Sequence, residues 1–200
     1  NREMAEEHDR NAAQSGDEYQ KLMAEGIRHG SKEDARRAAR SFREAIALRP
    51  DRPEAYANLG ASLANSGHHV EAAQRFLEAK GRYPVGSKDW ATTTAWAFTK
   101  LAREECAEVA KPKWWSDEGL KVLSARVVRV APDEVQTNRM RAVVLGGQSG
   151  GSWEVGPRSA AEIKEAAMHY DRAAAALSAP AMQAQFVSCA AMCRSLAAAM

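Results

Sequence analysis

Residues of the same kind return at a spacing of 34 along the first half of this 200-residue chain: Gly26 and Gly60, Ala38 and Ala72, Phe42 and Phe76, Ala45 and Ala79, Pro50 and Pro84. A fixed period of this length marks stacked supersecondary units, none of which can bury its apolar face alone. Each landmark has a physical task. Gly60 has no side chain and Ala72 and Ala79 have small ones, so two helices can approach closely, while Tyr56, Leu59, Leu63 and Phe76 fill the space beside them. Pro53 suits the opening of a helix, and Pro84 suits the loop that must end one.

The second copy reads Tyr56-Ala57-Asn58-Leu59-Gly60-Ala61-Ser62-Leu63, followed by Ala72, Phe76, Ala79 and Pro84. It resembles the tetratricopeptide repeat pattern W-x2-L-G-x2-Y…A-x3-F…P, with aromatic and aliphatic substitutions. The first copy is weaker, with Leu22 in the aromatic place, Glu25 in the leucine place and His29 in the tyrosine place. The resemblance covers residues 19–84 well and 87–132 in part, and it reaches the remainder only through periodicity. It implies an all-α, right-handed α-solenoid of antiparallel helix pairs, about four repeats plus a C-terminal helix, whose business is binding rather than catalysis.

The expected organisation follows from the landmarks. Residues 1–18 form a polar helix or linker, and 19–86 form two repeats. A third, extended repeat spans 87–132. Trp90 stands 34 after Tyr56, with Ala97, Leu101 and Val109 on the same apolar side, but the closing proline is delayed to Pro132. The insertion holds Lys111-Pro112-Lys113-Trp114-Trp115, whose two indoles either cap a neighbouring helix pair or form a docking element. Ser116 with Asp117 and Glu118 predicts a helix start, leading to Leu120, Leu123, Val127 and Val130 at helical spacing. A degenerate fourth repeat spans 133–179. Its helices are predicted at 133–145 and 159–177, the second with Ile163, Ala166, Tyr170, Ala173 and Leu177 as its stripe, around a Gly-rich loop at 146–152. Residues 180–200, with Met182, Phe186, Cys189, Cys193 and Leu196, are a capping helix or the first helix of a further repeat; Arg194 is the only charge after Ala179, so this helix needs a cover.

Composition bounds the function. With 45% hydrophobic and 27% charged residues the chain can build a large core, and a net charge of +2 argues against a dedicated nucleic-acid binder. Gln183, Gln185 and Arg194 interrupt the Ala-rich C-terminal run, so no membrane span is expected. Three cysteines, two of them on one helix face, point to buried thiols in an intracellular reducing compartment. A start at Asn1 rather than Met suggests a fragment or processed product.

Several motifs invite a chemical reading and fall short of it. Gly147-Gln148-Ser149-Gly150-Gly151 contains G-x-S-x-G, but a nucleophile elbow needs a strand before it and a helix directly after it. The same glycines lack the Lys-Ser/Thr of a phosphate loop. Cys189 and Cys193 could hold two metal ligands, yet no His or Cys pair supplies the others, and His68 and His69 sit in a turn. Arg36, Arg40 and Arg43 make a basic stripe on a helix that the family turns outward. No cofactor, metal or catalytic residue is expected.

The resemblance places a partner groove on the first helix of each repeat. Its expected lining is Met23, Ile27, Ala57, Asn58, Ala61, Ala64, Asn65, Lys88, Ala91, Ala95 and Phe98, with Trp114 and Trp115 as the optional docking insertion. Some family members clamp a chaperone's C-terminal carboxylate with a Lys and an Asn in the first repeat, an Asn in the second, and a Lys and an Arg in the third. Here Asn58 and Lys88 keep their places, while Met23, Ile27 and Thr92 replace the others. The expected partner is therefore an apolar helical or extended segment of another protein, which makes the chain a scaffold or adaptor. The alternatives are a carboxylate-clamp co-chaperone and a repeat module of a larger enzyme or complex.

Overall fold

A computed structural model describes residues 2–31 and 34–200 as α-helices joined by loops, the longest between Leu101 and Asp117 and between Leu145 and Ala160, with no strand among the described residues. The chain divides into two compact units, one ending at Tyr83 and the other beginning at Pro84.

The first unit holds α1 (Arg2–Ser31), α2 (Ala35–Leu48), α3 (Pro53–Asn65) and α4 (His69–Arg82). The polar N-terminal segment and the first helix of the first repeat are one continuous helix, α1. α1 packs on α2, α2 on α3 and α3 on α4, and α1 also touches α3. The small residues of the period explain the pairing. A Cβ built on Gly26 would lie 2.5 Å from the Phe42 ring, and one on Gly60 would lie 3.0 Å from the Phe76 ring. The two pairs thus repeat the same glycine-on-phenylalanine contact. Ala38, Ala45, Ala72 and Ala79 are fully buried around it. Asp34 caps α2 by accepting from the Arg37 amide at 3.2 Å, and Pro53 opens α3. Tyr56 Oη donates to the Pro50 carbonyl at 3.1 Å, and the Arg82 guanidinium lies 4.0 Å over its ring, tying α4 to the start of α3. On the exposed side of α2, Arg40 pairs with Glu44 at 2.8 Å and Arg43 with Glu71 of α4 at 3.0 Å, so the basic stripe is largely matched by acids.

The second unit holds α5 (Lys88–Leu101), a single 3₁₀ turn (Glu104–Cys106), α6 (Asp117–Val130), α7 (Val135–Leu145), α8 (Ala160–Ala175) and α9 (Pro180–Ala198). α5 packs on α6 and α7, and then each helix packs on its successor through α9. α5 stops at Leu101, so Val109 lies beyond it in an irregular stretch instead of on its apolar side. Lys111 explains the stop: Nζ donates to the Leu101 carbonyl at 3.3 Å and also to that of Cys106, satisfying the C-terminal end of the helix. Ser116 caps α6 by accepting from the Gly119 amide at 3.1 Å, with Asp117 and Glu118 in the first turn. Ser159 and Glu162 form a capping box at the start of α8. α8 ends at Ala175, short of Leu177, and buries Ile163, Ala166, Tyr170 and Ala173. α9 buries Phe186, Ala190, Cys193 and Ala197, whereas Met182 and Leu196 of the expected stripe are 44% and 52% exposed. The small Ala190 and Ala197 let α9 come close to α8, which turns the longer side chains outward.

A buried polar chain crosses the α7–α8 contact. Asn138 Nδ2 donates to the Pro132 and Glu134 carbonyls at 2.6 and 3.0 Å, fixing its amide. Its Oδ1 then accepts from His169 Nδ1 at 2.8 Å, and His169 Nε2 lies 3.6 Å from Glu165.

Candidate functional site

The first helices of successive repeats carry equivalent positions 34 apart, and the two units treat them differently. In the first unit Ile27 on α1 is 57% exposed, and Ala61 and Asn65 on α3 are also exposed. Ala57, Asn58 and Ala64 are half-buried, while Met23 is a core residue. A surface of small side chains with one open isoleucine therefore runs over first helices that touch each other.

In the second unit the equivalent positions are filled from within. Ala91 and Ala95 are fully buried and Phe98 is 2% exposed, so these three expected groove residues offer no surface to a partner. For Phe98 the cause is visible. The Trp115 ring lies 5.6 Å from it and the Trp153 ring 5.8 Å, and the two indoles meet edge to face at 6.0 Å. Trp114 leans on Trp115 at 5.6 Å, and both are half-buried. Trp115 Nε1 also donates to the Ser152 carbonyl at 2.8 Å. The insertion and the Gly-rich loop thus close over α5 with the chain's own aromatic rings. Lys88, the remaining groove residue, is exposed and pairs with Glu134 at 2.7 Å.

The loop that brings Trp153 inward owes its path to glycine. Gly147, Gly150 and Gly151 hold φ of 66°, 55° and 85°, left-handed values that side chains disfavour. Its G-x-S-x-G follows helix α7, not a strand, and Ser149 Oγ accepts from the Gly151 amide at 3.2 Å. Beyond the glycines the loop is clasped to α6. Arg158 Nη1 donates to Asp117 Oδ2 at 2.8 Å, Nη2 makes a second contact to the same carboxylate, and Nη2 also reaches the Val144 carbonyl at 3.0 Å. Trp153 Nε1 adds a donor to Asp117 Oδ1 at 3.3 Å. The Arg158 hydrogen bonds, with help from Trp153, hold the Asp117 carboxyl down at about 2.

On the other side of the loop is a cavity of about 490 Å³, lined by α5, α7, α8, α9 and the loop itself. Trp96, Tyr170, Met182 and Phe186 supply apolar surface, Gln136, Gln148 and Gln185 supply amides, and Lys100, Arg103 and Arg139 supply charge. Arg103 is paired with Glu105 at 2.8 Å. Arg139 donates to the Thr99 hydroxyl at 3.3 Å. Burial lowers the pKa of Arg139, and burial followed by the charges of Arg103 and Arg139 lowers that of Lys100. Burial raises the Tyr170 phenol, which donates to Gln148.

The sequence reading did not single out this cavity. One signal was available: Val135, Arg139 and Val143 are spaced four apart, so Arg139 interrupts an apolar stripe on α7. Cys189, read as half of a weak metal pair, is a half-buried thiol in the cavity wall, and Cys193 is buried in the α8–α9 core. Among the described residues no group of three His, Cys, Asp or Glu is placed to hold a metal ion. No helix among them is long and apolar enough to cross a membrane.

No protein-family model matches the chain, and no curated protein matches it. Among solved structures it is similar to a crystal structure of the MamA protein, at a TM-score of 0.57 and 13% identity over 92% of this chain and 87% of that one. A second crystal structure of MamA aligns at a TM-score of 0.49 and 11% identity over 88% of this chain and 97% of that one. The first likeness, together with consecutive helix-on-helix packing, gives the chain a helical-repeat fold.

Proposed function

We propose that this chain is a non-catalytic binding module, a scaffold or adaptor whose ligand is an apolar segment of another polypeptide seated on the α1 and α3 face of the first unit. The observation that carries this reading is the contrast at equivalent repeat positions. Ala95 is fully buried, whereas Ile27 and Ala61 are left open on neighbouring first helices with small residues around them. Repeat arrays bind through such first-helix faces, and an apolar face of small residues favours an apolar side chain over a charge. A carboxylate clamp is less well supported, because Lys88 is engaged by Glu134 and Met23 is core.

The test compares the parent protein with Ile27→Glu and Ala61→Glu in affinity capture from cells of the source, with melting curves recorded in parallel. Loss of one captured protein from both variants at unchanged melting temperature is the expected result. Identical captured sets would overturn the proposal, as would capture by the parent that falls steeply with added salt.

A further inference from the structure

The cavity of the second unit has three cations in its lining and no carboxylate. Arg103 has its own acid in Glu105, but Arg139 is directed to a hydroxyl, Thr99 Oγ1, with no carboxylate paired to it among the described residues. Lys100 faces the Trp96 ring at 5.6 Å, and the charges that act on it most strongly are those of Arg103 and Arg139. Like charges have been gathered in one recess, Lys100 and Arg139 half-buried and Arg103 exposed beside them. That arrangement destabilises a fold unless something of opposite charge enters. A volume of about 490 Å³ lies within the range of small-molecule sites, and the mixture of aromatic rings with a few convergent polar groups is the usual lining of one.

We propose that this cavity binds a small organic anion, a carboxylate or phosphate joined to a short apolar or aromatic body. The anionic head sits on the Arg139 guanidinium and the Lys100 ammonium, where a fork of donors and a point charge converge. The amides of Gln136 and Gln185 supply further donors, and the body lies against Trp96 and Phe186. Every lining residue belongs to the second unit, so this site does not rest on the partner-binding reading of the first.

The structure supplies its own reporter in Cys189, which lines the cavity and is half-buried, while Cys106 and Cys193 are buried. Phenylacetate, phenyl phosphate, inorganic phosphate and the neutral phenylacetamide would be titrated against the whole chain. Alkylation of Cys189 by iodoacetamide would be followed by mass spectrometry, and the melting temperature would be recorded at each concentration. The two aryl anions are expected to slow alkylation and raise the melting temperature. The neutral amide and inorganic phosphate should bind at least about tenfold more weakly, the first lacking the charge and the second the body. Arg139→Met should weaken the aryl anions at least about tenfold while leaving the melting temperature of the free protein equal or higher, since it removes a half-buried charge that holds a hydroxyl but no carboxylate. A structural arginine would instead lower the melting temperature and leave anion binding alone.

Lys100→Met gives a second, independent variant with the same expectation. A peptide ending in Phe with a free carboxylate, compared with its C-terminal amide, tells the source of the anion. Competition by the acid alone assigns the head to a chain end, and failure of both beside retained phenylacetate binding assigns it to a free small molecule. No saturable protection by either aryl anion up to about 10 mM overturns the proposal, as does equal binding of phenylacetate and phenylacetamide, or unchanged binding in both methionine variants.

Discussion

Asp117 ties the loop to α6, because it receives Arg158 and Trp153 from the loop while occupying the first turn of α6. Arg158 is only 7% exposed in its side chain, so Asp117→Asn leaves a guanidinium with a poorer acceptor. The expected cost is about 1 to 3 kcal/mol in chemical denaturation. The sign with pH is fixed by the depressed pKa. Asp117 contributes stability above its ordinary value of 3.8, and that contribution is lost as pH falls toward about 2. Glu162, held down first by Lys121, loses its share from 4.5 toward about 2. His169 acts at milder acidity. Burial lowers its pKa below 6.5, so the unfolded chain takes up the proton first and stability falls as pH drops below that value. Melting curves at pH 7 and 5.5 should show this loss in the parent, and His169→Gln should flatten it; an unchanged slope would mean that Asn138 and His169 do not set it.

At the scale of the helix, the two glycine contacts separate two outcomes. A methyl at Gly60 meets Phe76 at 3.0 to 3.2 Å, a fit that a slight ring shift can absorb, and alanine is also a better helix former than glycine. Gly60→Ala is expected to change stability by less than about 1 kcal/mol, whereas Gly60→Leu overpacks the pair by about 1 to 3 kcal/mol. At Gly26 a methyl meets Phe42 at 2.5 to 2.8 Å, so Gly26→Ala should already be destabilising by about 1 to 3 kcal/mol. Equal thermal shifts for the two alanine variants would contradict this ordering. These contacts were legible in the sequence because a period repeats its geometry: glycine and phenylalanine recur at 34, and one helix pair explains the other. The start of α6 was legible too, since Ser116 with two acids states a cap in three residues. Phe98 was misread as groove surface because its cover comes from Trp115 and Trp153, segments with no counterpart in the period. The cavity was hidden for the same reason. Its walls are drawn from four helices and a loop, and only the break that Arg139 makes in an apolar stripe pointed to it.

At the scale of the whole chain, the division at Tyr83 and Pro84 gives each unit its own core, so damage is expected to stay on one side of it. Phe98→Glu places a charge in a position 2% exposed and should unfold the second unit, a loss of roughly half the helical circular dichroism, while α1 to α4 persist. A single cooperative loss of all helix would show that the two units depend on each other. The aromatic cluster makes the same question readable by light. All five tryptophans, Trp90, Trp96, Trp114, Trp115 and Trp153, fall in the second unit, and the first carries only tyrosine and phenylalanine as aromatic side chains. Emission excited at the red edge of the indole band therefore comes from one half of the molecule, whereas far-ultraviolet dichroism counts the helices of both. In a denaturant titration the separation between those two curves is a direct measure of how far one half can lose its structure before the other does.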